Sequence, residues 1–274
     1  MKMNELKLVY FSPTGNTEKI AEAVARGCAE SSGQFEKIRR RDITLPPERE
    51  KTLSFCSEDL VVFAMPTYAG RLPNKIMPFV RDRVQGEGAL AVPVVTYGNR
   101  SADDSLMELN LLLRVNGFRI LGGGAFVCQH AFAEVLAAGR PDSEDLAKAE
   151  ELGRKIAEKA EREQFGDVSF PGNNPVGPYY VPKGIDGKPA VFLKATPKRD
   201  EKKCLGCGRC AVCCPMGSIS AEDFETTGIC IKCQACIQKC PSGARYFDDA
   251  AFLSHKKMLK ENYAETRRHS EIFF

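Results

Sequence analysis

The feature that most constrains the fold of this chain is a four-cysteine motif that occurs twice near its C-terminus. Residues 204–215 have the spacing Cys-x2-Cys-x2-Cys-x3-Cys-Pro, and residues 230–241 repeat it. Bacterial proteins with two [4Fe–4S] clusters use this spacing, and the fourth cysteine of each motif ligates the other cluster. The motif therefore predicts one cluster on Cys204, Cys207, Cys210 and Cys240, and a second on Cys230, Cys233, Cys236 and Cys214.

Other uses of cysteine fit this motif less well. A structural zinc site takes its four ligands as two separated pairs, whereas here a proline closes each run of four. A disulfide framework requires an oxidising compartment, and the N-terminal residues show no apolar run before a cleavage site. No stretch of about 18 apolar residues could span a membrane, so we expect a cytoplasmic protein. Of the adjacent pair Cys213 and Cys214, only Cys214 is followed by proline and keeps register with Cys240, so Cys213 is interpreted as a spare thiol.

The length of 274 residues allows two domains, because the cysteine repeat needs only a short C-terminal part. Six prolines and five glycines between residues 166 and 198 interrupt regular structure. We therefore expect a first domain at 1–165, a connector at 166–198, a cluster-binding domain at 199–250 and a C-terminal helix and tail at 251–274. Apolar residues in the connector, and the apolar end of the chain, predict that both segments pack on the body of the protein.

Residues 1–165 predict alternating strands and helices. Short apolar runs favour strands, and apolar residues spaced three to four apart favour helices. The expected strands are Leu6–Phe11, Phe35–Arg39, Asp59–Ala64, Ala89–Tyr97 and Phe118–Cys128, and helices are expected after the first strand and at Pro73–Val84, Ala102–Asn116 and Asp142–Gln164. This alternation indicates an α/β fold with a doubly wound, five-stranded parallel sheet. Ligands of such sheets bind beyond the carboxyl ends of the strands, where the strand order reverses.

Residues 12–17, Ser-Pro-Thr-Gly-Asn-Thr, follow the first expected strand and open a helix. Hydroxyls and free backbone N–H groups at a helix N-terminus form an anion site. The segment lacks the Gly-Lys-Ser/Thr of a nucleoside-triphosphate loop, and no Gly-x-Gly-x-x-Gly follows a strand. An N-cap with turn residues is the simpler interpretation, but it accounts for one hydroxyl and one glycine rather than for three hydroxyls.

This segment resembles the phosphate loop of flavodoxins, which holds the terminal phosphate of FMN. Residues 66–73, Pro-Thr-Tyr-Ala-Gly-Arg-Leu-Pro, resemble one flavin-ring loop of the same proteins, and residues 96–100, Thr-Tyr-Gly-Asn-Arg, resemble the second. Together with the cysteine repeat, the chain resembles the flavodoxin–ferredoxin fusion proteins of anaerobic bacteria and archaea. The resemblance implies a flavodoxin-like domain followed by a small α+β domain of the bacterial ferredoxin type.

The resemblance also implies a set of FMN-binding residues. The phosphate would bind at Ser12, Thr14, Gly15, Asn16 and Thr17, and the flavin ring would lie between Thr67, Tyr68, Ala69 and Gly70 on one side and Tyr97, Gly98 and Asn99 on the other. Many flavodoxins stack a tryptophan on the ring; this chain has none, and Tyr68 is the expected substitute. The formal net charge is +3, and ligated clusters with a flavin phosphate would bring it to about −3. A charge this small gives no case for a nucleic-acid partner.

Together the motifs predict a cytoplasmic redox carrier with electron transfer between two [4Fe–4S] clusters and FMN. The alternative is a cluster-fed, flavin-dependent reductase of a small organic substrate, with His130 as its candidate proton donor. A redox sensor is a third interpretation, for which no output domain is found. The expected partner is a redox protein or a small-molecule electron donor or acceptor, without nucleic acid or membrane. The motifs leave open whether the chain is an enzyme and whether it forms a homodimer.

Overall fold

Strands and helices alternate through the first part of the chain. The computed structural model describes residues 5–32 and 37–274. The strands of this part are β1 (Glu5–Tyr10), β2 (Ile38–Asp42), β3 (Leu53–Ser54), β4 (Asp59–Pro66), β5 (Val84–Gln85), β6 (Leu90–Tyr97), β7 (Arg119–Ile120) and β8 (Gly123–Val127). The helices are α1 (Asn16–Ser32), α2 (Met77–Arg83), α3 (Ser105–Val115) and α4 (Ser143–Glu161), with a 3₁₀ turn at Pro46–Arg49.

Five parallel strands form the main sheet, in the order β2-β1-β4-β6-β8. The short strand β7 pairs with the start of β6, and β3 pairs with β5 in a separate two-stranded sheet. The strand order reverses between β1 and β4, and a doubly wound sheet opens a crevice at such a point. This is the flavodoxin-like strand order, and it confirms the predicted fold class.

Helices cover both faces of the main sheet. The central strands β4 and β6 are buried along almost their whole length, which explains their nearly continuous apolar sequences. Apolar residues of α1 and α4, among them Ile20 and Leu152, cover one face. Apolar residues of α2 and α3, among them Phe79 and Leu109, cover the other. The carboxyl ends of the strands stay outside these layers, where loops can form a site.

Two glycines allow α1 and α4 to pack closely. A Cβ atom on Gly27 would lie 2.1 Å from the carbonyl oxygen of Glu150, and one on Gly153 would lie 2.1 Å from that of Val24. Neither position has room for a side chain without a shift of the helices. The close contact between α1 and α4 therefore depends on glycine at both positions.

The cysteine-rich part consists of short elements, followed by a helix and a final strand. These elements are β9 (Lys198–Arg199), α5 (Arg209–Val212), α6 (Ala235–Gln238), β10 (Arg245–Tyr246), α7 (Ala250–Tyr263) and β11 (Glu271–Phe273). β9 and β10 pair antiparallel. β11 returns to the first domain and pairs antiparallel with β8, with Ile272 opposite Gly124. The tail therefore docks on the body, as its apolar end predicts, and it does so as an added edge strand.

Several element limits differ from the expected ones. Of the strand expected at Phe35–Arg39, Phe35 lies outside the described residues, and β2 runs from Ile38 to Asp42. The strand expected at Phe118–Cys128 is interrupted, with β7 and β8 on either side of Leu121 and Gly122. The helices begin three or four residues later than expected at α2 and α3. Among residues 5–32 and 37–274, no helix is both long and apolar enough to cross a membrane.

The connector is docked on the first domain by hydrogen bonds to the start of α3. The carboxylate of Asp104, which is 8% exposed, accepts hydrogen bonds from the backbone N–H groups of Asn173 (2.9 Å) and Gly177 (2.8 Å). The Tyr179 hydroxyl donates to the Leu72 carbonyl at 2.9 Å. These contacts agree with the expectation that the connector packs on the domain rather than moving as a free linker.

Candidate functional site

The eight motif cysteines surround two cavities. Cys204, Cys207, Cys210 and Cys240 line the first cavity. Cys214, Cys230, Cys233 and Cys236 line the second. These are the two sets that the spacing predicts, including the exchange of the fourth cysteine between motifs. In the described part of the chain, no three His, Cys, Asp or Glu side chains are grouped so that they could hold a single metal ion; each set of four cysteines instead lines a cavity. The spare Cys213 directs its thiol to the Cys210 carbonyl, at 3.7 Å.

The two cysteine loops have the same backbone conformation. Gly206 and Gly208 of the first loop have φ angles of 64° and 69°, and Lys232 and Gln234 at the equivalent positions of the second loop have 57° and 68°. This left-handed conformation costs a non-glycine residue about 1–2 kcal/mol. The second loop therefore keeps the turn of the first loop although it lacks both glycines. Hydrogen bonds from Lys232 Nζ to the Leu193 and Cys230 carbonyls hold that turn in place.

Backbone N–H groups point at the sulfur of the fourth cysteine in each motif. Ser218 N donates to Cys214 Sγ at 3.3 Å, and Ala244 N donates to Cys240 Sγ at 3.3 Å. Burial alone would raise the pKa of Cys240, but hydrogen bonds from the Ser242 hydroxyl and from backbone N–H groups outweigh it and hold the pKa below its usual value. The thiolate, which is the form that ligates metal, is favoured at this position.

Two arginines give the first cavity an electrostatic character suited to an anionic group. Arg199 and Arg245 both line it, and their buried Nε atoms find no hydrogen-bond partner within the described chain. Buried donors without a partner are costly in a finished structure. An iron–sulfur cluster ligated by four thiolates is a negatively charged acceptor. The residues present therefore fit such a cluster.

The loop after β1 has the geometry of an anion site. Ser12 Oγ accepts a hydrogen bond from Glu18 N at 3.0 Å, and Ser12 N donates to Thr44 Oγ1 at 2.8 Å, which fixes the loop on its neighbour. Gly15 has a φ angle of +91°, and nothing lies within 4 Å of a Cβ placed on it. The first N–H groups of a helix have no partner inside the helix, and the described residues offer none to the N–H groups of Asn16 and Thr17. The loop therefore fits a phosphate group.

Two side chains of this loop face the protein instead of the anion site. The Thr17 hydroxyl is buried and lies 2.8 Å from the hydroxyl of Thr96 at the end of β6. Asn16 Nδ2 donates to the Gln129 carbonyl at 3.5 Å. These two residues therefore position the loop against neighbouring strands, and their backbone N–H groups are what they offer to a ligand. Thr14 is half-buried.

The first expected ring loop is a tight turn held from two sides. Tyr68 and Arg71 exchange backbone hydrogen bonds, and the residues between them, Ala69 and Gly70, have positive φ angles. The connector donates from Tyr180 N to the Ala69 carbonyl at 2.8 Å. The Thr67 hydroxyl before the turn lies 2.7 Å from that of Ser105. These contacts fix the conformation of the turn.

Tyr68 lies beside the second cysteine cavity. Burial raises the pKa of its hydroxyl well above the usual value, and Cys233 and Cys230 act in the same direction. The sulfurs of this cavity are therefore close enough to act electrostatically on the ring loop. Stacking of Tyr68 on a flavin ring stays a prediction.

The second expected ring loop is held by the C-terminal tail. The Asn99 side chain is buried, and its Nδ2 donates to the carbonyls of Tyr263 at 2.9 Å and Thr266 at 2.8 Å. The Tyr97 hydroxyl donates to the His269 carbonyl at 3.2 Å. Burial raises the pKa of Tyr97 to about 12, so its hydroxyl stays protonated. The side chains of Asn99 and Tyr97 thus bind the tail.

His130 lies against the second ring loop. A Cβ on Gly98 would lie 2.5 Å from the ring of His130, so this glycine is needed for the contact. The Nδ1 atom of His130 accepts from the backbone N–H groups of Phe132 at 3.4 Å and Ala133 at 3.2 Å. Burial lowers the pKa of His130 to about 3, and the ring is therefore neutral at neutral pH. A role as proton donor stays a prediction, and only Nε2–H of the neutral ring could carry it.

The second cavity also packs on the flavodoxin-like domain. Met216 and Ile231 line this cavity and contact the hydrophobic core beneath the sheet. Arg49 donates to the Pro215 carbonyl at 2.5 Å and to the Ile43 and Thr44 carbonyls at 2.6 Å each. Arg49 therefore joins the neighbourhood of the anion loop to the cysteine domain. Sequence reasoning missed Arg49 because a charged residue in a Pro-Pro-Glu-Arg turn gives no signal of such a role.

A further missed group is the ion pair that supports the first ring loop. Arg71 binds the Glu108 carboxylate through Nε at 3.0 Å and Nη2 at 2.5 Å, and Glu108 is buried. Arg71 Nη1 also donates to the Gly177 carbonyl of the connector at 2.5 Å. The sequence shows Arg71 in the loop but not its partners, because Glu108 looks like an ordinary helical residue. This bidentate pair orients the loop rather than facing a ligand.

Comparison with known proteins gives matches to both parts of the chain. A family model described as a 4Fe-4S binding domain matches residues 196–219. An NAD(P)H dehydrogenase (quinone) of Archaeoglobus fulgidus is 26% identical over 192 residues, which is 58% of this chain and 99% of that protein. A flavodoxin of Clostridium beijerinckii is 24% identical over 157 residues, 56% of this chain and 99% of that protein. The solved structure of a flavodoxin from the domain Archaea is 20% identical, covers 57% of this chain and 99% of its own, and gives a TM-score of 0.39.

Strand order, family model and relatives agree on the architecture. The chain has a flavodoxin-like N-terminal domain and a C-terminal 4Fe-4S ferredoxin-type domain. Redox electron transfer of the flavin and iron–sulfur kind is the activity that these findings support.

Proposed function

We propose that this chain is a redox carrier that moves single electrons between two [4Fe–4S] clusters and an FMN held in the same molecule. When bound, the clusters supply one-electron chemistry and the flavin couples it to one- or two-electron chemistry. The observation that carries the proposal is the packing of the second cysteine cavity on the flavodoxin-like domain, at the end of the sheet that bears the expected flavin loops. Electron transfer within one molecule does not wait for a diffusional encounter.

The two cavities have different exposure, which supports an order for the route. At the first cavity, Cys207 is exposed and Leu205 is 70% exposed. At the second cavity, Cys236 is buried, and Tyr68 of the ring loop lies nearby. An external redox partner would therefore exchange electrons at the first cluster, and the second cluster would face the flavin. Electrons that leave the flavin would pass through the second cluster and then the first.

The first domain supplies the proposed FMN site mainly through its backbone. The N–H groups of Asn16 and Thr17 would bind the phosphate, with the Ser12 and Thr14 hydroxyls and the open turn at Gly15 beside them. Thr67 to Gly70 and Tyr97 to Asn99 would hold the ring through the two fixed turns described above.

The carrier proposal requires that the domains keep one arrangement. Three features maintain it: Arg49 bonds to Pro215, the connector bonds to Asp104, and the Gln238 side chain donates to the Ala131 carbonyl at 2.7 Å. Each contact joins residues far apart in sequence. A fixed arrangement keeps the second cavity beside Tyr68 in every molecule, so that no search motion limits transfer.

Adjacent cysteines provide the experiment and its matched control. We expect Cys214→Ser to remove a ligand of the second cluster, so that iron in the anaerobically reconstituted chain falls from about eight to about four atoms. We expect Cys213→Ser to keep both clusters, because its thiol bonds to a carbonyl instead of lining a cavity. In the Cys214→Ser chain, reduction of the flavin by a partner that reduces the first cluster should slow at least tenfold. Flavin reduction at the unchanged rate after loss of the second cluster would refute the proposed route.

A further inference from the structure

The two halves of the cysteine repeat differ at one buried position. Both motifs continue as Cys-Pro-x-Gly-x after the fourth cysteine, and the next residue is Ile219 in the first copy and Arg245 in the second. Both side chains are buried, Ile219 at 8% and Arg245 at 3% exposure. An apolar residue is therefore sufficient for the turn itself. Burial of a charged side chain is costly unless a partner compensates it, so the arginine needs a separate explanation.

The protein compensates only part of the Arg245 side chain. Its Nη1 donates to the Phe224 carbonyl at 2.7 Å, and its Nη2 donates to Thr226 Oγ1 at 3.1 Å. Its Nε has no partner in the described residues, and no carboxylate there forms an ion pair with it. The side chain lines the first cavity. The positive charge and one N–H donor are therefore left for whatever fills the cavity.

Arg245 lies between the two cavities. Its side chain lines the first cavity. Its Nη2 donates to the hydroxyl of Thr226, and Thr226 lines the second cavity. The buried guanidinium therefore stands between the two sets of cysteines.

We infer that Arg245 is a shared internal counter-cation for the two clusters, with its Nε–H donated to sulfur at the first cluster. The inference rests on the proposed function, because it requires both clusters. Reduction adds one electron, and hence one negative charge, to a cluster without making a bond, and the electron comes from the redox partner. A fixed positive charge and a hydrogen bond to sulfur favour the more negative state. Arg245 therefore raises the reduction potential of both clusters.

Arg199 provides a matched comparison. It also lines the first cavity and has a buried Nε without a hydrogen-bond partner in the described chain. Unlike Arg245, it lies near two carboxylates, with Glu201 at 3.5 Å and Glu225 at 3.6 Å. Its charge is thus partly neutralised, and its sulfur contact is with Cys204 of the first cavity. It should act on the first cluster alone and more weakly.

The test is an anaerobic redox titration of the full-length, reconstituted chain, with both clusters followed by electron paramagnetic resonance. In Arg245→Gln we expect the equilibrium constant for reduction to fall about tenfold at each cluster, a shift of about 59 mV for one electron. Arg245→Lys should keep most of the effect of the charge, and Arg199→Gln should shift only the first cluster. Unchanged potentials at both clusters in Arg245→Gln would overturn the inference. A shift confined to the first cluster would also overturn it, since the charge would not be shared.

A second comparison keeps the inference testable if Arg245→Gln fails to bind the clusters. Arg245→Ile introduces the residue that the first motif carries at the equivalent position. If Arg245→Gln and Arg245→Ile both fail to bind clusters while Arg245→Lys binds them, the requirement is for the charge, and the inference holds. If Arg245→Lys fails as well, the guanidinium serves the Phe224 and Thr226 contacts, and the inference is wrong. Fewer than two clusters in the wild-type chain would refute the proposed function itself, independently of these variants.

Discussion

Arg49→Met tests whether the domain interface depends on a single half-buried guanidinium. Arg49 makes three hydrogen bonds to carbonyl oxygens, of which one, to Pro215 at 2.5 Å, crosses to the cysteine domain. A hydrogen bond to a charged group contributes about 1.5–3 kcal/mol. Methionine keeps much of the side-chain volume but removes every donor. Loss of the crossing bond should therefore raise the population of the locally opened interface about 10-fold to about 150-fold.

Hydrogen exchange of backbone amides measures that opening directly. In Arg49→Met we expect faster exchange in peptides that cover residues 43–50 and 214–219. The increase should lie near the lower end of the range of opening given above, because Arg49 is only half-buried. Arg83→Met is the control, since Arg83 donates to the Glu50 carbonyl within the first domain and its bond does not reach the cysteine domain. The reasoning is refuted if 214–219 exchanges at the wild-type rate while 43–50 loosens, because the Pro215 bond would then contribute nothing to docking.

Two other changes test the packing and the electrostatics of the first domain. Gly153→Ala would place a Cβ 2.1 Å from the Val24 carbonyl oxygen, so α1 and α4 must separate. We expect the free energy of unfolding, measured in urea, to fall by about 1–3 kcal/mol. Unchanged stability would show that the two helices move apart freely. Burial lowers the pKa of His130 to about 3 in the native state, below its ordinary 6.5. Between these two pH values the unfolded chain therefore binds more protons than the folded chain. The free energy of unfolding should fall as the pH is lowered through this range, by up to about 1.4 kcal/mol per pH unit. His130→Gln keeps an acceptor for the N–H groups of Phe132 and Ala133 but cannot titrate. Between pH 7 and pH 5 its free energy of unfolding should fall less than that of the wild type. An equal fall in both proteins would contradict a buried, neutral His130 ring.

The sheet and the cysteine grouping were predictable because each depends on local sequence. The central strands β4 and β6 are continuous apolar runs, which is the pattern of strands buried on both faces. The exchange of Cys214 and Cys240 between the two sets follows from a repeat with fixed spacing. In both cases the information lies within a short segment, so no knowledge of distant contacts is needed.

The contacts that shape the loops could not be predicted from the same information. The sequence predicts that Asn99 contacts the flavin ring, yet its side chain binds carbonyls of residues more than 160 positions later in the chain. The three-residue strand β11 is too short to show a strand pattern, and its pairing with β8 depends on where the tail returns. The contacts of Arg49 and Arg245 could not be predicted for the same reason. A buried charged residue looks like a surface residue until its partners are known.

The proposed function requires that electrons pass between the cysteine domain and the flavodoxin-like domain inside one molecule. The test reduces the clusters of the reconstituted, flavin-loaded chain under anaerobic conditions with an added photoreductant that a light pulse activates, and it follows the flavin absorbance. We predict a first-order rise whose rate constant is the same at all protein concentrations, since the second cavity is held beside Tyr68. A rate that increases in proportion to protein concentration would contradict the account, because the electrons would then pass between molecules.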